Sequence, residues 1–115
     1  MSLTIYHNPR CSKSRQTLKL IEDAGVEVKT VLYLNDLLSE TDISTLLSQL
    51  DFSSARQLMR KGETIYKELN LKLETEESRL LEAMAANPKL IERPIVVKGN
   101  KAILGRPPEN VLEFL

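Results

Sequence analysis

Residues 3–15 read LTIYHNPRCSKSR, and this stretch predicts a strand, a turn and the start of a helix, in that order. The first four residues alternate in polarity as a half-buried strand does. Asn8-Pro9 then ends the strand, because the residue before a proline is driven away from helical geometry. Helical spacing of apolar residues begins at Ser12. The sequence therefore places Cys11 at the point where a strand turns into the first helix.

The chain that follows predicts a parallel βαβ unit and then a helical segment. The helical pattern runs over residues 12–24, and residues 26–34 are rich in β-branched side chains that alternate as in a second strand. A crossover of this length joins parallel strands. Ser39 opens the helical middle with a capping box, and Thr75 is expected to open its clearest later helix, which ends near Asn87-Pro88.

The last quarter of the chain predicts a β-hairpin and a final helix. Residues 94–97 and 101–104 are apolar segments separated by Gly99-Asn100, a strong two-residue turn signal. Pro107 then starts a last helix, where proline is favoured in the first turn. The order β-α-β, helical insert, β-β-α is that of the thioredoxin-like fold, so we expect an α/β protein with a mixed four-stranded sheet. We expect residues 1–115 to form one domain.

Composition narrows the class of protein. The chain has 115 residues, 42% hydrophobic and 28% charged, which is typical of a soluble globular domain. Its 16 basic and 16 acidic side chains cancel, so the charge does not favour a nucleic-acid partner. No apolar run approaches the roughly 20 residues that cross a bilayer, and no secretory signal precedes the first strand. We expect a monomer in a reducing cytoplasm, without membrane partners.

The single cysteine is a candidate nucleophile. A helix N-terminus and nearby cations lower the pKa of a thiol, and His7, Lys13 and Arg15 surround Cys11. The alternative is a small, inert, buried cysteine. Ser14 stands where a dithiol oxidoreductase carries its second cysteine; its hydroxyl can hydrogen-bond a thiolate but cannot resolve a mixed disulfide. Any redox cycle must therefore use a thiol from another molecule.

Three arginines are candidates for binding a small anion. Arg93 directly precedes Pro94, and Arg106 directly precedes Pro107, so both are expected at ends of the sheet where loops gather around the thiol. Arg60 lies in the helical middle. A guanidinium binds a tetrahedral oxyanion through paired, charge-assisted hydrogen bonds. An arginine taken alone is more often a solvated surface charge, so the interpretation depends on the three occurring together. One histidine and one cysteine do not suggest a metal site, and we expect no bound cofactor.

Three separated motifs resemble the glutaredoxin-dependent arsenate reductase family. They are YHNPRCSKSR at residues 6–15, ERPIVV at 92–97 and GRP at 105–107, and the resemblance extends over nearly the whole chain. The chain ends soon after the last motif, as in the short chromosomal branch of the family rather than the longer plasmid type. Its first turn is also more basic than the family's Ala-Cys-Gly-Thr-Ser form.

The resemblance implies a mechanism and a set of site residues. Cys11 corresponds to the nucleophile that attacks arsenate, glutathione acts as co-substrate by adding to the arsenylated cysteine, and glutaredoxin completes the reduction to arsenite. The three arginines that hold the oxyanion correspond to Arg60, Arg93 and Arg106. By the same resemblance, His7 and Ser14 correspond to residues that tune the pKa of the thiol. Pro94 corresponds to the cis-proline that lies beside the active site.

Two other functions stay open. Thiol-sensing regulators of RNA polymerase, the Spx group, share this fold, but they usually carry a Cys-x-x-Cys pair that Ser14 interrupts here. A monothiol, glutathione-linked reductase acting on another substrate, such as a protein mixed disulfide, has the same requirement for an external thiol. The set of arginines favours a small oxyanion over that substrate.

Overall fold

The computed structural model describes residues 3–115, which divide into two compact units. The sheet unit comprises residues 3–36 and 93–115, and the helical unit comprises Leu37–Glu92. The helical unit is the insert that the sequence predicts between the second and third strands, although the sequence analysis treats the chain as one domain. No helix within residues 3–115 is both long enough and apolar enough to cross a membrane.

The sheet unit contains a mixed four-stranded sheet in the order β2-β1-β3-β4. β1 runs parallel to β2, with Tyr6 opposite Val31, whereas β3 is antiparallel to both β1 and β4. The parallel β1–β2 pair, the β3–β4 hairpin and the mixed character of the sheet agree with the sequence prediction. The four strands are β1 (Leu3–Tyr6), β2 (Val28–Val31), β3 (Ile95–Lys98) and β4 (Lys101–Leu104).

Helix α1 (Ser12–Asp23) connects β1 to β2 and completes the predicted βαβ unit. It ends one residue before the predicted boundary, and Gly25 takes the positive φ of +73° that reverses the chain. β2 is shorter than the predicted span of residues 26–34. The N–H of Val26 still donates to Ile21 O at the end of the helix, and the N–H of Asn35 donates to Leu32 O in a turn, so neither end joins the ladder.

The core of the sheet unit forms between α1 and the sheet. Five side chains there are at most 1% exposed: Leu3, Ile5, Ile21, Val96 and Val111. Burial of apolar side chains of this size contributes about 1.5–3 kcal/mol each. Val111 comes from the last element, a 3₁₀ helix over Pro108–Phe114 that begins one residue after the predicted start at Pro107. The core therefore fixes the start of α1 and the end of β4 to one sheet.

The β3–β4 hairpin turns at the predicted dipeptide. Gly99 has φ +62°, a value that favours glycine in a tight turn, and Lys98 pairs with Lys101 across it. The hairpin brings the residue before β3, Arg93, and the segment after β4 to the same end of the sheet.

The helical unit contains three α-helices and three short 3₁₀ helices. The predicted capping box at the start of the first one is present: Ser39 Oγ accepts from Asp42 N–H, and the Asp42 carboxylate accepts from Ser39 N–H, both at 3.0 Å. The elements are α2 (Glu40–Gln49), α3 (Thr64–Glu68) and α4 (Glu77–Ala86), with 3₁₀ helices at Ala55–Leu58, Leu71–Leu73 and Pro88–Leu90.

The expected start of α4 at Thr75 is wrong by two residues. The carboxylate of Glu74 accepts hydrogen bonds from the N–H groups of Thr75 and Glu76, at 3.1 Å and 3.2 Å. These local bonds hold the two residues in a turn, so the helix begins at Glu77. Its end at Ala86, before Asn87-Pro88, agrees with the prediction.

Candidate active site

Cys11 lies at the junction between the loop after β1 and the first turn of α1. It is the N-cap residue of α1, with an extended backbone at φ −93° and ψ 123°. Its N–H donates to Asn8 O, and its carbonyl accepts from Arg15 N–H, both at 3.0 Å. The thiol is free and partly exposed. The sulfur therefore stands beside the N–H groups that the first turn of a helix leaves unsatisfied.

The surroundings of the sulfur stabilise its anionic form. Partial burial raises the pKa of the Cys11 thiol, but the backbone N–H of Ser14 and the guanidinium of Arg93 lower it. The backbone N–H of Lys13 adds a smaller effect in the same direction, and the net pKa lies below the ordinary value of a cysteine. Cys11 thus loses its proton more easily than an ordinary cysteine does.

The cations next to the cysteine act differently from the sequence expectation. Lys13 lowers the pKa of Cys11 through its backbone N–H rather than through its ammonium group. Arg15 directs Nη1 to the carbonyl of Pro9, at 3.0 Å, and so holds the turn that precedes the sulfur. The main guanidinium acting on the thiol is instead that of Arg93, which is distant in sequence.

His7 and Ser14 form a buried pair next to the nucleophile. The Ser14 side chain is fully buried, and its Oγ lies 2.6 Å from His7 Nδ1. Ser14 Oγ also accepts from Asn8 N–H at 3.1 Å. Burial lowers the pKa of His7, more than the nearby Glu22 raises it, so the neutral imidazole is favoured. The hydrogen bond to His7 Nδ1 therefore holds Ser14 in place beside the nucleophile.

Arg93 and Arg106 meet at the end of the hairpin, close to the sulfur. Arg106 Nη1 lies 3.8 Å from Cys11 Sγ and donates to the carbonyl of Arg93 at 3.2 Å. Arg93 itself hydrogen-bonds the thiolate. The Arg93–Pro94 peptide bond is cis, and so is Arg106–Pro107, for which the sequence analysis made no prediction. Two guanidinium groups and a helix N-terminus thus surround one sulfur, an arrangement suited to a small oxyanion.

Arg60 belongs to the helical unit, where it has a different partner. Its Nη1 lies 2.8 Å from the Glu92 carboxylate, and both side chains are only about a quarter exposed, at 23% and 25%. The backbone supports this pair, because Arg60 N–H donates to Leu90 O at 2.7 Å and Glu92 N–H donates to Leu58 O at 2.8 Å. Binding of an oxyanion by Arg60 stays a prediction from the family resemblance.

The sequence and the structure both match known proteins. A model of the ArsC family matches residues 6–114. The chain belongs to the ArsC family. An arsenate reductase of Haemophilus influenzae is 46% identical over 116 residues, a match that covers all of both chains. YfgD, an uncharacterized protein of Escherichia coli, is 54% identical over 112 residues, which are 96% of this chain and 94% of YfgD.

A solved structure of an arsenate reductase from Vibrio cholerae superposes on this chain with a TM-score of 0.96 and 49% sequence identity. The superposition covers 100% of this chain and 98% of the other. The predicted family and the predicted thioredoxin-like α/β fold are confirmed. The roles of the individual ArsC-family site residues rest on the geometry described above.

The sequence analysis missed three residues that contact the candidate site residues of this ArsC-family chain. Glu92 forms the ion pair with Arg60, and its only signal is its position beside the Arg-Pro motif. Thr17 and Asn110 hydrogen-bond the segment that carries Arg106. The sequence gives no sign of these hydrogen bonds. Thr17 has the spacing of an ordinary helix residue, and Asn110 that of a residue on a surface helix.

The helical unit also has a cavity of about 710 Å³, whose lining includes Arg56, Lys61, Tyr66 and Leu73. No cysteine or histidine lines this cavity, because the single cysteine and the single histidine of the sequence both lie in the sheet unit. Within residues 3–115, no three or more His, Cys, Asp or Glu side chains are grouped so as to hold a metal ion.

Proposed function

We propose that this protein is an oxidoreductase that reduces arsenate to arsenite, with Cys11 as nucleophile and with glutathione and glutaredoxin as reductants. The observation that carries the proposal is the 3.8 Å contact between Arg106 Nη1 and Cys11 Sγ in a chain of the ArsC family. This contact supports the proposal because a guanidinium, a group that binds oxyanions, lies beside a thiol whose pKa is lowered. The names of the relatives supply the identity of the oxyanion.

The first step is attack by the Cys11 thiolate on the arsenic atom of arsenate. A sulfur–arsenic bond forms, and one arsenate oxygen leaves as water after protonation. Thiolate and arsenate repel each other, so the reaction needs fixed positive charge at the point of attack. Arg93 and Arg106 supply that charge, and the first-turn N–H groups of α1 add to it. Arg60 would contribute a third guanidinium, as the family resemblance implies.

The later steps need two further thiols, because the chain has no second cysteine. Glutathione displaces another arsenic oxygen as water, which leaves arsenic bound to two sulfurs. A glutaredoxin thiol then attacks the glutathione sulfur, and the electron pair of the sulfur–arsenic bond reduces As(V) to As(III). Water finally displaces Cys11 from As(III), which releases arsenite and restores the thiol. Overall, two thiols become one disulfide and arsenic gains two electrons.

This cycle also fits a reducing compartment. Each turnover consumes reduced glutathione, and a lone, partly exposed thiol persists where disulfides are kept reduced. We therefore infer that the protein works in the cytoplasm.

The test is an assay that couples NADPH oxidation, through glutathione reductase, glutathione and glutaredoxin, to the addition of arsenate. We expect turnover by the wild type and a loss of at least about a thousandfold for Cys11→Ser, as for removal of other covalent nucleophiles. Ser12→Ala is the matched control, because it removes a neighbouring hydroxyl and keeps the sulfur. We expect it to turn over like the wild type.

Two results would contradict the proposal. One is the absence of NADPH oxidation by folded wild type at millimolar arsenate. The other is residual activity of Cys11→Ser close to that of Ser12→Ala, which would mean that the sulfur takes no part in the reaction. Reduction of a glutathionylated protein without any arsenate activity would instead favour the monothiol reductase with another substrate.

A further inference from the structure

Three consecutive carbonyls at the end of β4 are held by two side chains. Asn110 Nδ2 donates to the carbonyls of Leu104 and Arg106, each at 3.2 Å. Thr17 Oγ1 lies 3.2 Å from the carbonyl oxygen between them, that of Gly105, and shares its single proton between that oxygen and Lys13 O. The two donors come from different elements, α1 and the 3₁₀ helix at Pro108–Phe114. The segment that presents Arg106 is thus fixed from two sides.

Thr17 is an unusual donor for this purpose because its side chain is completely buried, at 0% exposure. Its hydroxyl also bonds Lys13 O, one turn earlier in α1, at 2.8 Å. Because the hydroxyl has one proton, its contact with Gly105 O is one arm of a shared hydrogen bond, and this arm links α1 to a segment 88 residues away.

The contact with Gly105 is close enough to exclude a side chain there. A Cβ atom on Gly105 would lie 2.5 Å from Thr17 Oγ1 and 2.8 Å from Pro94 Cγ. The N–H of Gly105 donates to Pro94 O at 2.9 Å. Gly105, the residue before Arg106, thus packs against both Thr17 of α1 and Pro94, the residue after Arg93.

This contact has a consequence for the thiol site. α1 carries Cys11 at its N-terminus, and Thr17 lies six residues along the same helix, about 9 Å further at 1.5 Å per residue. Arg106 follows Gly105 directly and reaches Cys11 Sγ at 3.8 Å. The contact between Thr17 and Gly105 therefore links the helix of the nucleophile directly to the segment that carries Arg106.

We propose that Thr17 and Asn110 are positioning residues, and that they hold Arg106 where a tetrahedral oxyanion must sit to meet the Cys11 sulfur. The inference rests on the proposed function, since it assigns Arg106 to the oxyanion. A displacement of about 1 Å in such a group can cost up to about a hundredfold in rate, so rigid support at the backbone matters for the reaction.

The test compares Thr17→Val, which keeps the shape and removes the hydroxyl, with Thr17→Ser, which keeps the hydroxyl. We expect Thr17→Val to raise KM for arsenate by about threefold to tenfold, the effect of one lost hydrogen bond, and Thr17→Ser to restore most of it. Asn110→Ala should raise KM in the same direction. Glu109→Gln, an exposed change on the same 3₁₀ helix, is the control and should leave KM unchanged.

A binding measurement separates this inference from the identity of the substrate. Sulfate is an unreactive tetrahedral anion, and its occupation of the site should slow alkylation of Cys11 by iodoacetamide. We expect Thr17→Val and Asn110→Ala to raise the half-protecting sulfate concentration by about threefold to tenfold. The midpoint of the alkylation rate against pH should stay as in the wild type, because Arg93 and the α1 N–H groups still face the sulfur.

The outcomes are distinct. A half-protecting concentration within about twofold of wild type in both variants overturns the positioning role, and so does an absence of protection in the wild type. An equal loss in Thr17→Ser and Thr17→Val overturns it as well, because the hydroxyl would then be irrelevant. If wild type fails to reduce arsenate while sulfate protection shifts as expected, the proposed function fails and the positioning role stands. Asn110→Ala keeps the test valid should Thr17→Val not fold.

Discussion

The arginines of the sheet unit and the arginine of the helical unit are placed against different chemical groups. Arg106 directs Nη1 to the sulfur of Cys11 and to a backbone carbonyl. Arg60 directs Nη1 to the carboxylate of Glu92. In the proposed reaction, an incoming dianion would meet Arg106 at the reacting atom, whereas Arg60 would have to exchange its carboxylate partner for the substrate. We therefore expect the two guanidinium groups to contribute unequally to that reaction.

The largest expected effect tests that inequality. Arg106→Gln should lower kcat/KM for arsenate by about a hundredfold or more, the usual loss when a fixed donor to a developing anion is removed. Arg60→Gln should lower kcat/KM by only about tenfold. In the wild type, part of the free energy that Arg60 gains from the substrate is spent on breaking its ion pair with Glu92. Steady-state kinetics in the coupled assay measures both.

Arg79→Gln is the matched control, since Arg79 is an exposed arginine of the helical unit, at 67% exposure. It should leave kcat/KM unchanged. Equal losses in Arg60→Gln and Arg106→Gln would remove the distinction between the two regions.

The next effect concerns which groups make the thiolate. The pKa of Cys11 is lowered in the folded state, so the thiolate persists below the pH at which an ordinary cysteine is protonated. Alkylation by iodoacetamide should therefore stay fast in that window and decline as pH falls through the lowered pKa. Arg93→Gln should move the midpoint to higher pH. Lys13→Gln should leave it in place, because Lys13 acts through its backbone N–H.

A midpoint that moves as far in Lys13→Gln as in Arg93→Gln would show that the ammonium charge matters after all.

The lowered pKa of Cys11 also makes the stability of the folded protein depend on pH. A thiol whose pKa is depressed by folding stabilises the folded state above the unfolded pKa, and this contribution is lost as pH falls through the folded pKa. Alkylation is the more direct measurement, since it reports on the one cysteine alone.

The contrast between the two regions also explains what the sequence could predict. Arg93 and Arg106 each stand next to a proline at the end of a strand, and Cys11 lies two residues after Pro9. The ends of neighbouring strands in one sheet meet. The predicted strand topology was therefore sufficient to place Cys11, Arg93 and Arg106 near one another. The atoms that lower the thiol pKa were less visible. Backbone N–H groups at a helix start carry no signature in side-chain chemistry, so Lys13 and Arg15 were expected to act through their charges.

The contacts that the sequence could not predict are non-local side-chain pairs. Glu92 reaches Arg60 across 32 residues, and Thr17 reaches Gly105 across 88. Neither pair is set by a spacing along a helix or a strand. Each depends on backbone bonds between separate elements, such as Arg60 N–H to Leu90 O, that a single sequence does not encode as a pattern.

The smallest effect compares one ion pair from each region. Glu92→Gln removes the partly buried pair with Arg60 and should lower the free energy of unfolding by about 1–2 kcal/mol. Asp23→Asn removes the pair with Lys19 in α1, where both side chains are largely exposed, at 62% and 74%, and where the oxygen lies 3.4 Å from the nitrogen. An exposed pair of this kind contributes about 0.3–0.5 kcal/mol.

Urea unfolding at low and at high salt measures both changes. Screening should reduce the effect of Asp23→Asn more than that of Glu92→Gln, because solvent ions reach the exposed pair. Equal costs for the two variants would mean that the Arg60–Glu92 pair stabilises the helical unit no more than a surface contact. Arg60 could then exchange the Glu92 carboxylate for an oxyanion at little cost in free energy. Arg60→Gln should in that case lower kcat/KM nearly as much as Arg106→Gln does.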